Sequence, residues 1–319
     1  MLSPRRVRRD LETKNKVMEF TKETKELIRP FIERINLEDK LQNAILDMMA
    51  QVKIDNSHNY TRTSDGKWLA GVTSVSSLVP KEWLAAWGAK ESVKALGYSD
   101  FDGDTEVAVE MLEKIKTCKI VDEYIAILKE AKGASARKSK EALLDGKTGH
   151  QWIEDYIKAK IRFEETPKYP NDKFERPLKQ FTDWADANVD YWLLSEARVA
   201  DIEKEYAGTL DAVAKMKDGS LALIDAKFAS HISDEYALQT AGYAATFEKY
   251  GIKFDKRIIV RLPKTLEKPE WNKKERKYEM VENIIEIKEI DSPYEFDRDT
   301  FYAALPVKNW VNYIENKNK

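Results

Sequence analysis

Gly208-Thr209-Leu210-Asp211-Ala212-Val213-Ala214-Lys215-Met216-Lys217-Asp218-Gly219-Ser220-Leu221-Ala222-Leu223-Ile224-Asp225-Ala226-Lys227 is the stretch that decides the fold of this chain. Two short apolar runs, 209–216 and 220–227, flank Lys217-Asp218-Gly219 and read as strands. A three-residue loop with glycine last matches the hairpin built from a type I turn and a residue in αL. That loop pairs Met216 with Ser220, and counting back places Asp211 opposite Asp225. Residues opposite one another in an antiparallel pair share a face, with Cβ atoms about 5 Å apart. Lys227, two positions beyond Asp225, points to the same side. A two-residue loop would instead set Asp211 opposite Ala226, so the convergence of two carboxylates and an ammonium depends on this turn.

Carboxylates at that separation repel one another unless a cation sits between them. Hard oxygen donors select Mg²⁺, Mn²⁺ or Ca²⁺ over softer metals. A lysine beside such an ion is suited to positioning a water, and the ion to stabilising charge on an attacked phosphate. The same spacing also arises from a plain ion pair on the surface of a hairpin, and spacing alone does not separate the two.

Downstream, residues 234–250 read as a helix, with Ser233 as its cap, Asp234 and Glu235 at its positive end and Gly251 after its last turn. Further strands are expected at 257–262 and 280–290, and a last helix at 297–315. Upstream, a strand is expected at 196–200. Residues 1–60 read as helical, from the spacing of Leu27, Ile28, Phe31, Ile32 and Ile35 and of Leu41, Ala44, Ile45, Met48 and Met49. Asp55-Asn56-Ser57-His58-Asn59 breaks that pattern. A helix follows Pro80, with Trp83, Leu84 and Trp87 on one face, expected in the core, with base stacking as the alternative. Further helices are expected at 105–132 and 136–162. Helices first and strands afterwards predict an α/β fold with a mixed central sheet flanked by helices and a helical N-terminal region. The expected divisions are a helical arm at 1–65 and a domain at 66–319, helical over 66–190 and catalytic over 191–319.

Composition narrows the function. The 319 residues carry a formal charge of −2, so the total gives no support to a nucleic-acid role. Distribution does: from 253 to 278 there are ten Lys/Arg against four acids, an excess suited to a phosphate backbone or to a solvated basic loop. No apolar run approaches the roughly 20 residues that cross a bilayer. No secretory leader is expected behind Met1-Leu2-Ser3-Pro4-Arg5-Arg6, and Asp10 and Glu12 come too early for an organelle transit peptide. The single cysteine, Cys118, permits neither an internal disulfide nor a four-thiolate cluster and fits a reducing cytoplasm. No phosphate-loop signature for ATP is present.

Gly208-Thr209-Leu210-Asp211 followed by Leu223-Ile224-Asp225-Ala226-Lys227 resembles the core of the PD-(D/E)XK nuclease superfamily, in the Gly-x-x-Asp form of its RecB-like exonuclease branch. Gln239-Thr240-Ala241-Gly242-Tyr243 is similar to that branch's Gln-x-x-x-Tyr helix, and Gly146-Lys147-Thr148-Gly149-His150 to its histidine-bearing helix. Val72-Thr73-Ser74-Val75 and Trp83-Leu84-Ala85-Ala86-Trp87 resemble what precedes that histidine in phage exonucleases and the mitochondrial genome-maintenance exonuclease. The resemblance spans about residues 70–265.

It implies a PD-(D/E)XK core and a Mg²⁺- or Mn²⁺-dependent DNA exonuclease, with one or two ions and no iron–sulfur cluster. Asp211, Asp225 and His150 would be metal ligands, with the Ala226 carbonyl as a further oxygen donor. Lys227 would position the attacking water, Gln239 and Tyr243 would support the site, and Glu196 is a weaker candidate. From the charge distribution rather than the resemblance, Lys273, Lys274, Arg276 and Lys277 are expected to meet DNA phosphates. The expected partner is DNA, through a single-stranded or resected end, with a recombination or replication protein beside it in a bacterial or phage-infected cell. A structure-specific endonuclease and a non-catalytic DNA-binding scaffold are the alternatives. One departure is plain: many members of the branch place threonine after the lysine, and this chain has Phe228.

Overall fold

The computed structural model describes residues 22–98 and 105–317. Helix α1 (Lys22–Gln51) leads into three short strands, β1 (Val52–Ile54), β2 (Tyr60–Arg62) and β3 (Trp68–Gly71). Five more helices follow: α2 (Val72–Ser76), α3 (Trp83–Lys94), α4 (Thr105–Lys116), α5 (Val121–Lys132) and the long α6 (Ala134–Arg162). Then come α7 (Asp172–Asn188), β4 (Val189–Asp201), β5 (Tyr206–Met216), β6 (Leu221–Phe228), α8 (Glu235–Ala245) and β7 (Lys256–Leu262). The chain closes with β8 (Glu267–Asn272), β9 (Lys277–Glu282), β10 (Glu286–Glu289) and α9 (Tyr294–Lys317).

The architecture is mixed α/β. Eight of the strands form one mixed sheet in the order β1-β2-β3-β5-β6-β7-β10, with β4 on the other edge of β5. The β3–β5 and β6–β7 pairs are parallel and the others antiparallel. Among the described residues no helix is long and apolar enough to cross a membrane.

The expected turn is present. Gly219 sits at φ +86, the Met216 amide donates to the Ser220 carbonyl at 2.9 Å, and the Gly219 amide donates to the Met216 carbonyl at 2.9 Å. Asp218 closes the loop by accepting from the Ser220 amide at 2.9 Å. The ladder runs from Lys215↔Leu221 to Ala212↔Ile224, which sets Asp211 opposite Asp225 one step on. Beyond that step β6 parts from β5, and β3 occupies the vacated edge at Tyr206 and Ala207. The site described below lies in that fork.

Strand parity fixes which way β6 aims its side chains. Ala222, Ile224, Ala226 and Phe228 join the core under α6 and α7, with Trp152, Phe174 and Phe181. Leu221 and Leu223 join the opposite core with Tyr243 of α8, Phe247 just after it and Phe301 of α9. Asp225 and Lys227 continue the second set and therefore point toward α8. Arg257 fastens this layer from inside: it donates to Asp297 at 2.7 Å and to the Ala237 and Ser292 carbonyls.

Several elements differ from expectation. Residues 1–21 of the expected arm lie outside the described residues. The remainder does not stand apart, because Leu41, Ala44, Ile45 and Met48 of α1 pack into the same core as β4, β5 and α8. The polar break at 55–59 is a hairpin turn between β1 and β2, where Asp55 accepts from the Ser57 and Asn59 amides. The 105–132 stretch is two helices, parted where the Thr117 hydroxyl bonds back to the Lys114 carbonyl. Helix α7 went unread, although Asn171 caps it and Phe174, Leu178, Phe181 and Ala185 form its buried stripe. The 280–290 strand is two strands in different sheets, divided at the buried Asn283. Ser233 contributes its carbonyl to the start of α8 and no side-chain cap.

Candidate active site

Asp225 is fully buried, and its two oxygens have different partners. Oδ1 accepts from the Gln239 amide at 3.0 Å. Oδ2 lies 2.6 Å from Lys227 Nζ and, beyond that ion pair, has no hydrogen-bond partner among the described residues. The Gln239 amide also reaches the Tyr243 hydroxyl at 3.4 Å, and that hydroxyl meets Thr73 Oγ1 at 3.5 Å. The Gln-x-x-x-Tyr spacing, one helical turn, thus becomes a brace that holds one carboxylate oxygen and leaves the other toward the fork.

Asp211 sits across from it. Its Oδ2 accepts from the Ala226 amide at 2.8 Å, substituting for the strand pairing that ends there. His150 Nδ1, from α6, lies 3.6 Å from the same oxygen. Glu196 completes the group: Ser195↔Ala212 and Ala197↔Leu210 bracket it, which sets it opposite Asp211 on β4. It has φ +47, a left-handed conformation that costs a non-glycine residue roughly 1–3 kcal/mol and is typically retained where function demands it. Donor atoms of His150, Glu196 and Asp211 lie within 4.8 Å of one another. Glu196, the weakest of the sequence candidates, is thus brought in fully; its signal was one acidic residue in a strand next to Asp211. Asp225 is the expected ligand that stands outside this trio, and the Ala226 group seen in contact is its amide.

The electrostatics follow from burial and crowding. Burial pushes the Glu196 carboxyl up to about 8, helped by the neighbouring Asp211 and Glu154 charges. Burial also pushes Asp225 up to about 6, against the pull of Lys227, and raises Asp211. His150 is held down to about 4 by burial and by the Lys227 charge, so its imidazole is neutral near pH 7, the form that binds metals. Lys227 loses solvent by burial, yet the Asp225 and Asp211 charges outweigh that loss and raise it, so it stays an ammonium. Burial raises all three carboxyls, and neighbouring carboxylates add to the rise at Glu196 and Asp225, a condition that an added cation relieves.

Two glycines permit the close packing. A Cβ on Gly149 would fall 2.1 Å from Phe228 Cζ, so the ring lies directly on α6 beside His150, at 5.9 Å between ring centroids. Phe228 in the threonine position is therefore a packing residue that seats the histidine's helix. A Cβ on Gly208 would fall 2.6 Å from the Tyr243 ring, which explains the glycine in Gly-x-x-Asp here.

The basic stretch divides in two. Arg257 and Arg261 are buried and serve structure, Arg261 by bonding Glu286 and the Ala229 and Ile284 carbonyls. Lys273, Lys274, Arg276 and Lys277 lie at the exposed tip of the β8–β9 ribbon, where Lys277 is paired with Glu275 and Glu279. Trp83, expected in the core, is 50% exposed and packs edge-to-ring with His231.

No family model matches the sequence, and no curated protein matches it. A solved structure described as "Crystal structure of SSO0001" aligns over 87% of this chain and 86% of its own, at 12% identity and a TM-score of 0.29.

Proposed function

We propose that this chain is a divalent-cation-dependent deoxyribonuclease with a PD-(D/E)XK core, acting from single-stranded or resected DNA ends. The observation that carries the reading is the fork itself: Asp211 and Asp225 face one another, Lys227 lies 2.6 Å from Asp225, and His150 and Glu196 close on Asp211. The donor set of two carboxylates and a neutral imidazole fits Mg²⁺ or Mn²⁺, with the imidazole favouring Mn²⁺ of the two. An ion held by His150, Glu196 and Asp211 would stabilise the charge that builds on an attacked phosphate. Lys227, kept protonated, donates to the attacking water and to a phosphate oxygen and does not serve as a base. Gln239, braced by Tyr243 and Thr73, keeps Asp225 oriented toward Lys227.

The testing experiment offers end-labelled linear and covalently closed circular DNA to the protein with and without Mn²⁺. Release of nucleotides from linear DNA alone is the expected result. Cutting of the circle makes the protein an endonuclease, and binding without release makes it a scaffold.

Because the acids repel one another, Mn²⁺ should raise the melting temperature. At a hundredfold excess over its Kd a ligand bound only by the folded state adds about 2.7 kcal/mol. Asp211→Asn should abolish the shift and Glu196→Gln should reduce it. Loading at pH 7 should also release protons, since Glu196 starts near 8. Melting that is indifferent to Mn²⁺ would remove the metal from this reading.

The ribbon tip should add affinity without reading sequence. Replacing Lys273, Lys274, Arg276 and Lys277 with glutamine should weaken binding and reduce the salt slope by about two. The three that pair with no carboxylate among the described residues, Lys273, Lys274 and Arg276, would release roughly 0.7 counterion each on a single strand. An unchanged slope would return the ribbon to solvent.

A further inference from the structure

We infer that Trp83 is a stacking platform for an unpaired nucleobase of the DNA strand entering the fork, an inference that rests on the nuclease reading above. Lys227 lies near the end of β6, the loop after that strand carries His231 and leads into α8, and Lys81, in the segment before α3, and Trp83 contact this connection. Two contacts fasten them to it: Lys81 pairs with Glu235 at 2.9 Å, and the Trp83 and His231 ring centroids are 5.4 Å apart. One residue beyond Glu235, Lys227 Nζ stands 5.3 Å from the Tyr236 ring centroid. The ammonium assigned to the scissile phosphate and the indole therefore both contact the connection from β6 into the start of α8, Lys227 at Tyr236 and Trp83 at His231.

The indole is unusually placed for its size. Helix α3 buries none of its residues, and Trp83 is half exposed at its first position. Exposing so large an apolar ring costs folding free energy. The rings of Trp83 and His231 meet at 78°, so at least one indole face stays clear of the imidazole. An indole face offers a base an offset stack that tolerates any sequence. A duplex keeps its bases stacked on each other, so only an unpaired base can use this face. Salt-bridged Lys81 and Glu235 hold the segment in place, which lowers the entropic cost of stacking. Trp83 is thus a positioning residue: it fixes the base next to the reacting phosphate and touches no reacting atom.

The test compares the full chain with Trp83→Ala and Trp83→Phe, using oligothymidylate and an abasic oligomer with the same number of phosphates. Binding is read by fluorescence anisotropy and turnover in Mn²⁺. Stacking of one base predicts that Trp83→Ala raises Kd and KM for oligothymidylate about tenfold, with kcat within about threefold. The abasic oligomer should be bound equally by all three proteins, and Trp83→Phe should keep most of the wild-type affinity. Equal oligothymidylate affinity in wild type and Trp83→Ala overturns the platform, as does a fall in kcat without a rise in KM. Absence of turnover in the wild type refutes the nuclease reading, and the anisotropy comparison still decides whether Trp83 stacks a base. Because Trp83 is half exposed, a melting temperature close to wild type is expected for both variants.

Discussion

Lys227→Ala should retain less than about a thousandth of wild-type cleavage while keeping the wild-type fold. A positive group aimed at developing phosphate charge inside a desolvated site is typically worth several kcal/mol, or about 10²–10³ in rate. Lys227 adds to this the orientation of the attacking water, so the upper end of that range is expected. The folding cost should be small for a particular reason. Removing one partner of a buried ion pair usually costs about 3–5 kcal/mol because the other charge is stranded. Burial already pushes Asp225 up to about 6 with the ammonium beside it, and losing the pull of Lys227 raises it further, toward the uncharged form. Asp225→Ala should lose as much activity. Circular dichroism and melting would check the fold, and more than a tenth of wild-type activity in either variant would sink these assignments.

Gly149→Ala should lower stability by about 2 kcal/mol, although alanine is the better helix former by up to about 1 kcal/mol. The new Cβ would stand 2.1, 2.3 and 2.6 Å from three ring atoms of Phe228. That ring is enclosed in its core with Trp152 and Phe174 and has nowhere to move. Overpacking of this kind costs about 1–3 kcal/mol, and here it displaces the helix turn that carries His150. Mn²⁺ affinity should fall with stability. Phe228→Leu in the same chain should recover part of both, because the smaller side chain frees the space that Cβ needs. Gly149→Ala melting at the wild-type temperature would contradict this packing.

The hairpin was legible because its chemistry is local. Gly219 at αL fixes a three-residue loop, the loop fixes the register, and the register sets Asp211 against Asp225. Parity along Leu221–Phe228 then divides core from site. Gln239 and Tyr243 were legible as one face of a helix, though not as a brace on Asp225. The elements that were missed owe their form to distant partners. Strands of three or four residues, such as β1 to β3, carry too little periodicity, and only pairing with β5 makes β3 part of the sheet. Arg257 and Arg261 read as surface charge, because nothing local announces Asp297 or Glu286 as their partners. Glu196 is faint in the sequence because a left-handed residue inside a strand has no sequence mark outside glycine and asparagine.

Anomalous scattering from crystals soaked in Mn²⁺ is the most direct test of the central claim, that the fork between β5 and β6 is a cation site. The account predicts a manganese peak within about 2.5 Å of oxygens from Asp211 and Glu196, with the His150 ring completing one side. Substitution of Asp211 by asparagine should erase that peak and leave the surrounding structure in place. A fork that stays vacant at saturating Mn²⁺, with Asp211 and Glu196 still facing His150, would contradict the account.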